Sequence, residues 1–298
     1  MNILQTIGNT PLVKVSSPNP NVKIYAKLEM FNPTGSIKDR IVLKMIEQAE
    51  VEEKLDKTKI IIEATSGNTG IALAMIGAVK GYDVEIVMSE AVSIERRKII
   101  EGYGARITLT NKEEGTDGAI RKVRELIKQY PDKYFTPDQF TNKYNKIAHY
   151  KTTAEEIWKQ TNGNIDYFVS SIGTSGTIMG VGKALKENNP KIKIVEAHPV
   201  KGHYIQGLKN MNEAIVPAIY DPSKIDETIM IETKDAFRLS REITKKEGIF
   251  VGMSSGAAMY AALEIANRID KGIIVTIFPD SGMKYLSTEL FNGWNKIF

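Results

Sequence analysis

A lysine beside a turn and two loops rich in glycine and hydroxyl groups are the residues best suited to chemistry. In Asn32-Pro33-Thr34-Gly35-Ser36-Ile37-Lys38-Asp39-Arg40, Pro33 and Gly35 predict a turn, and Ser36 with Asp39 has capping-box spacing. Lys38 then falls in the first turn of a helix. The positive end of the dipole there disfavours an ammonium and leaves a better amine nucleophile. Lys38 also reads as one of 40 basic residues, on the surface. Thr65-Ser66-Gly67-Asn68-Thr69-Gly70 and Gly173-Thr174-Ser175-Gly176-Thr177 each lie between a strand-like run and a helical one. Backbone N–H groups at a helix start, flanked by hydroxyls and an amide, form an anion cradle, and the second of these loops suits a phosphate. Each alone also reads as a plain helix cap. Taken with Lys38, two cradles in two half-chains describe a site for two anions and a carbonyl-reactive amine.

Other chemistries fit less well. Gly252-Met253-Ser254-Ser255-Gly256 matches the G-x-S-x-G nucleophile elbow, but His149, His198 and His203 all precede Ser254, whereas a hydrolase places its histidine after the serine. A dinucleotide site could use Glu196, about 20 residues beyond Gly176, yet Gly173, Gly176, Gly180 and Gly182 do not have G-x-G-x-x-G spacing. Glu196, His198 and His203 lack a helical ligand spacing, so no metal is expected. The chain has no cysteine, which excludes disulfides, thiolate zinc sites, iron–sulfur clusters and a cysteine nucleophile.

The elements that must position these loops follow from hydrophobic patterning. The 298 residues suggest two domains or one large α/β unit, and 42% apolar content is enough for a sizeable core. Strands are predicted at Pro11–Val15, Val22–Leu28, Lys59–Ala64, Val84–Met88, Arg106–Thr110, Tyr167–Ser171, Lys193–Ala197 and Ile273–Phe278. Amphipathic helices are predicted at Ile37–Ala49, Thr69–Lys80, Ile94–Gly102, Gly118–Gln129, Ala148–Gln160, Thr177–Glu187 and Ala257–Arg268. This alternation predicts an α/β fold of two open, twisted, mostly parallel sheets covered by helices, with the site in the cleft between them. A boundary at the Pro137–Asn145 loop divides the chain into residues 1–145 and 146–298. The net charge of +4 is spread among interleaved acids and bases, as in Glu95-Arg96-Arg97-Lys98, and reads as a solvated face with no nucleic-acid partner. MNILQTIGNTPLVKV does not read as a signal peptide, and the apolar run Ile71–Val79 falls short of the roughly 20 residues that span a bilayer, so a cytoplasmic protein without membrane contact is expected.

NPTGSIKDR, EATSGNTGIALAMI, GTSGT and SSGAA, in this order, resemble the fold-type II pyridoxal-phosphate enzymes, and among them cysteine synthase (O-acetylserine sulfhydrylase). The likeness runs from Gln5 to Thr288, and EATSGNTGIALAMI with AHYKTTAEEIW looks most like the B-type branch. The resemblance implies a tryptophan synthase β-like fold in which roughly the first 35 residues pack with the C-terminal domain and part of the N-terminal domain closes over substrate. Pyridoxal 5′-phosphate is the implied cofactor, held by Lys38. Gly173, Thr174, Ser175, Gly176 and Thr177 would cup its phosphate, although the family more often has glycine at Ser175. Asn68 would meet the 3′-oxygen, and Ser254 the pyridine nitrogen. Thr65, Ser66, Gly67, Thr69 and Gln139 would take the substrate carboxylate. The implied reaction is β-replacement through an aminoacrylate, turning O-acetylserine or O-phosphoserine and sulfide into cysteine.

Gly202-His203-Tyr204-Ile205-Gln206-Gly207-Leu208-Lys209-Asn210-Met211 departs from the glycine-rich form usual in acetylserine enzymes and resembles the branch that prefers O-phosphoserine. Lys209 would help bind a phosphate leaving group there, or else face solvent. Thiosulfate or a protein thiocarboxylate could replace sulfide. A homodimer is implied, and serine acetyltransferase or a sulfur-carrier protein would be the protein partner. Cystathionine β-synthase chemistry with homocysteine, an NAD-dependent oxidoreductase and a non-catalytic binding relative are the alternatives.

Overall fold

The computed structural model describes residues 1–65 and 67–292. In chain order, β1 (Leu12–Val15) and β2 (Val22–Leu28) precede α1 (Lys38–Val51). Then come β3 (Ile60–Ala64), α2 (Asn68–Lys80), β4 (Val84–Ser89), α3 (Ile94–Gly102), β5 (Arg106–Thr110), α4 (Gly115–Gln129) and the two-residue β6 (Tyr134–Phe135). Two helices follow, α5 (Lys143–Lys151) and α6 (Thr153–Gln160), leading into β7 (Tyr167–Ser171), α7 (Gly176–Asn188) and β8 (Lys193–Pro199). The chain continues through β9 (Glu227–Ile231), α8 (Thr233–Glu247), α9 (Met253–Ala266) and β10 (Gly272–Phe278).

These strands form two sheets, ordered β1-β2-β10-β7-β8-β9 and β5-β4-β3-β6, and every pairing except β1 with β2 is parallel. The parallel geometry follows from composition: Ile61, Ile62, Ile86, Val87, Phe168, Val169, Ile274 and Val275 are buried on successive positions, so both faces of these strands need covering. Helices α8 and α9 cover one face of the six-stranded sheet, and α6 and α7 cover the other. Around the four-stranded sheet, α1, α2 and α3 lie on one side and α4 on the other. Helix α5 packs on both α1 and α7 and so joins the two layers.

Strand order reverses beside β3, which has β4 on one side and β6 on the other, and beside β7, which has β8 and β10. In a parallel sheet these are the places where loops part at the carboxyl ends and open a crevice. The Thr65–Gly70 and Gly173–Thr177 loops leave β3 and β7 there.

Three local expectations are corrected. Ala148–Gln160 is not one helix: the chain breaks at Thr152 (φ −124°, ψ −71°), whose hydroxyl donates to the Ala148 carbonyl. β6, β9 and α8 lie outside the predicted elements, although α8 buries Ala236, Leu239, Ser240 and Ile243 at helical spacing. The Ser36–Asp39 capping box does not form either. Asp39 instead turns back to accept from the Thr34 amide (2.8 Å) and hydroxyl. Among the described residues no helix is long and apolar enough to cross a membrane.

A buried charge network anchors α1. Arg40 donates to Glu29 (2.7 Å) and Glu156 (2.6 Å), Lys27 lies 2.6 Å from Glu156, and Thr10 and Asn32 bond to Glu29 at 2.7 and 2.8 Å. Burial works against the charged form of Glu156, but Arg40 and Lys27 prevail and hold its pKa down to about 2. This carboxylate therefore adds stability in full above its ordinary value of 4.5 and loses it as the pH falls toward about 2. Arg40→Leu strips the buried Glu29 carboxylate of its cation and leaves Glu156 with Lys27 alone, and is expected to lower unfolding free energy by about 3–5 kcal/mol. An unchanged urea midpoint in circular dichroism would show that the network does not hold the fold.

Candidate active site

Between the two sheets lies a cleft lined by Lys38, Thr65, Asn68, Thr69, Gln139, Gly173, Thr174, Ser175, Thr177, Lys209 and Ser254. Lys38 is the first residue of α1, and its segment is pinned to the end of β10. The Ile37 amide donates to the Pro279 carbonyl (2.9 Å), and Ser36 bridges Asp280. The Lys38 amine makes no hydrogen bond or ion pair among the described residues. Burial lowers its pKa, Asp280 and Glu29 oppose this, and Arg96 adds to the lowering. A larger share of free amine at neutral pH results.

Around β3 the site is a hydrogen-bonded frame. The Thr69 hydroxyl donates to Gln139 Oε1 (2.7 Å), and Gln139 Nε2 donates to the Ala64 carbonyl (3.1 Å). The Gln139 amide approaches the buried Glu63 carboxyl at 3.3 Å; burial, with Asp138 adding, raises the Glu63 pKa to about 8. Gly67 sits at φ +135° and donates to the Thr65 hydroxyl (3.1 Å), and a side chain at Gly67 would collide with Arg96. Helix α2 starts at Asn68 and turns its positive end toward the cleft. Ser66 lies outside the described residues.

The second cradle follows β7. Ser175 adopts a left-handed conformation (φ +68°), its buried hydroxyl is unpartnered, and α7 begins at Gly176. That backbone explains why glycine suits the position, since a serine is held there at a cost of about 1 kcal/mol. Only glycine fits at 173 and 176, where a Cβ would drive into the Gly207 carbonyl and the Asn145 side chain. Asn145 donates to the Gln139 carbonyl (2.7 Å) and to the Thr174 hydroxyl (3.1 Å), which ties the cradle to the frame around β3. Thr177 bonds His149 Nε2 (3.2 Å), and Thr153 bonds Nδ1 (2.9 Å). Burial, with Lys38 and Arg40 adding, pulls the His149 pKa far down and keeps the ring neutral. Ser254 opens α9, and its hydroxyl has no partner among the described residues.

Lys209 neither faces solvent nor stands free. Its ammonium meets Asp117 at 2.8 Å and lies 4.9 Å from the Phe140 ring centroid, and Asp117 also accepts from the Ile215 amide (3.0 Å). Several residues of the site escape the sequence reading. Asp280 accepts from Asn68 (2.6 Å), from Tyr285 (2.8 Å) and from Arg96 (3.4 Å). Arg96 stacks 4.4 Å over the Tyr285 ring and donates to Gln206 (2.5 Å). The one available signal was an Asp directly after a strand, in Pro279-Asp280-Ser281-Gly282. Glu196 is accounted for structurally, accepting from Tyr220 and Thr228. Among the described residues no cluster of side chains could hold a metal ion.

The arrangement suits a carbonyl compound carrying a phosphate: an amine unpaired among the described residues lines the same cleft as the cup after β7 and the Ser254 hydroxyl. Comparison with known proteins agrees. The family model for pyridoxal-phosphate-dependent enzymes matches residues 3–280. A cysteine synthase of Aquifex aeolicus is 50% identical, covering 97% of this chain and 92% of that protein. Cysteine synthase B of Salmonella typhimurium is 45% identical over 98% of this chain and 96% of its own. Among solved structures, a cysteine synthase of Entamoeba histolytica superposes with a TM-score of 0.90 at 43% identity, over 97% of this chain and 90% of that chain.

Competitive acetylation of the cofactor-free protein across pH checks the amine. Lys38 is expected to titrate below the ordinary 10.5, and an unshifted profile would contradict the electrostatic account.

Proposed function

The chain belongs to the pyridoxal-phosphate-dependent enzymes, in their cysteine synthase branch, and on that premise we propose how its residues share the work. The observation that carries the reading is Lys38: a half-buried amine, unpaired among the described residues, between two anion cradles at the switch points of two sheets. The residues fit pyridoxal phosphate on their own geometry, through the buried Ser175 hydroxyl, which has no partner among the described residues, at the start of α7 in the same cleft as Lys38. Lys38 would hold the aldehyde carbon, and the Gly173–Thr177 loop would hold the phosphate on backbone amides and the α7 dipole. Asn68 would meet the 3′-oxygen, and Ser254 the ring nitrogen. When bound, the cofactor supplies the electron sink that lets an amino acid lose its Cα proton and its β-substituent.

Thr65, Gly67, Thr69 and Gln139 take the substrate carboxylate. Once the substrate's amine takes its place on the aldehyde carbon, the freed Lys38 amine removes the Cα proton and later returns it. Between those transfers the Cβ–O bond breaks and a Cβ–S bond to sulfide forms, so that a serine ester becomes cysteine. A serine at 254, unlike a carboxylate, does not enforce a protonated ring, which favours β-elimination over transamination. Carboxylate binding draws the four-stranded sheet toward the phosphate cup and excludes water. Arg96–Gln206 and Lys209–Asp117 already tie α3 and α4 to the loop that follows β8.

Lys209 lines the cleft with its charge balanced by Asp117, and this balance supports a neutral acetyl ester over a phosphate as the leaving group. The native enzyme is expected to have at least about tenfold higher kcat/KM on O-acetylserine than on O-phosphoserine, a difference of about 1.4 kcal/mol. Asp117→Asn should move that ratio toward the phosphate ester, and a native preference for O-phosphoserine would overturn the reading. Protein saturated with pyridoxal phosphate should absorb in the visible range. Lys38→Ala should lose that band and at least about 1000-fold in β-replacement rate, about 4 kcal/mol of barrier; a variant that keeps both would remove Lys38 from its role.

A further inference from the structure

Lys284 has no part in the roles above, yet it is one of the most enclosed charged side chains of the molecule, 4% exposed at the end of a short 3-10 helix, Gly282–Tyr285. Its ammonium donates to the Asn68 side-chain oxygen (3.0 Å) and the Gly35 carbonyl (3.1 Å), and to no carboxylate among the described residues. Burying an ammonium without a carboxylate partner is costly, so the two oxygens it serves are informative. One belongs to the turn that leads into Lys38. The other belongs to the amide facing the cleft.

We propose that Lys284 is a positioning residue that fixes which end of the Asn68 amide faces the cofactor. The argument is one of hydrogen-bond sign. An ammonium can only donate, so it claims Oδ1; the Asp280 carboxylate accepts, so it claims one hydrogen of Nδ2 at 2.6 Å. With both neighbours satisfied, the second Nδ2 hydrogen is the group left for the cleft, and a donor is what a phenolate-type oxygen requires. Without Lys284 the amide oxygen loses its donor and only Asp280 holds the amide, so the second Nδ2 hydrogen is aimed less firmly at such a ligand. Burial pushes the Lys284 pKa down to about 8, with Asp280 opposing and Arg96 adding, so the ammonium still predominates at neutral pH.

The inference rests on the reading that Asn68 contacts the cofactor, and a double-mutant cycle separates the two. Lys284→Met and the milder Lys284→Gln are each made in the native chain and in Asn68→Ala, and the dissociation constant of pyridoxal phosphate is measured by absorbance titration of the full-length apoprotein. The Gln variant keeps the cycle readable if the Met variant fails to fold. In the native chain, Lys284→Met is expected to weaken cofactor binding about tenfold and Lys284→Gln at least about threefold. Both should shift the visible absorption maximum in the same direction as Asn68→Ala. In the Asn68→Ala background each should cost less than about twofold, because the group being positioned is gone. Equal losses in both backgrounds, or no loss in the native chain, overturn the positioning role. If Asn68→Ala alone leaves affinity and spectrum unchanged, the reading of Asn68 fails, and the proposal with it.

Discussion

Asp280, fully buried just beyond the end of β10, accepts hydrogen bonds from Asn68 at the start of α2, from Tyr285, and from Arg96 on α3. Its backbone bridges Ser36 before α1, and its carbonyl accepts from Gly252 before α9. Three helix starts thus converge on one residue, and each of them carries a side chain of the site: Lys38, Asn68 and Ser254. A buried carboxylate with several donors cannot shift without leaving those donors unpaired, so the separations among the three are set together. Gly252 has the same origin, since any side chain there would strike Asp280 and the Tyr285 ring.

The charges around the cleft are arranged to leave one amine reactive. Arg40 is spent on Glu29 and Glu156, Lys209 on Asp117, and Lys284 on two oxygens, while His149 is neutral. Lys38 alone of these has no partner among the described residues, and burial lowers its pKa. The cations that remain nearby, Arg96 and Lys284, discourage a further positive charge and favour an anionic ligand between the cradles.

Much of this was legible in the chain. The strands flanking the cradles were visible because parallel strands buried on both faces are nearly uniform in apolar residues, as in Ile60–Ala64. The loops were visible because phosphate and carboxylate cradles need small residues and hydroxyls. Other features were hidden by weak or misleading local signals. Ser36 and Asp39 have capping-box spacing, yet the Asp39 carboxylate is taken by the Thr34 amide and hydroxyl. Thr152 interrupts a run that is amphipathic throughout, through a hydroxyl bond that no periodicity records. In α8 charged residues surround a narrow apolar stripe, and β6 has only two residues.

By itself, the sequence determined the chemistry that is possible: no thiol, few imidazoles, one lysine in a helix-start turn and two anion cradles, each a matter of residue type and spacing within a single segment. It also set the order of strands and helices, since apolar periodicity is local. Tertiary structure alone decided which charges are free. Lys209 and Asp117, Arg96 and Gln206, and Lys284 and Asn68 stand 92, 110 and 216 positions apart, and no local pattern couples them. The physical reason is that a pairing energy depends on distance and burial in three dimensions. An exposed lysine, a neutralised lysine and a reactive one are the same letter until the fold places their neighbours.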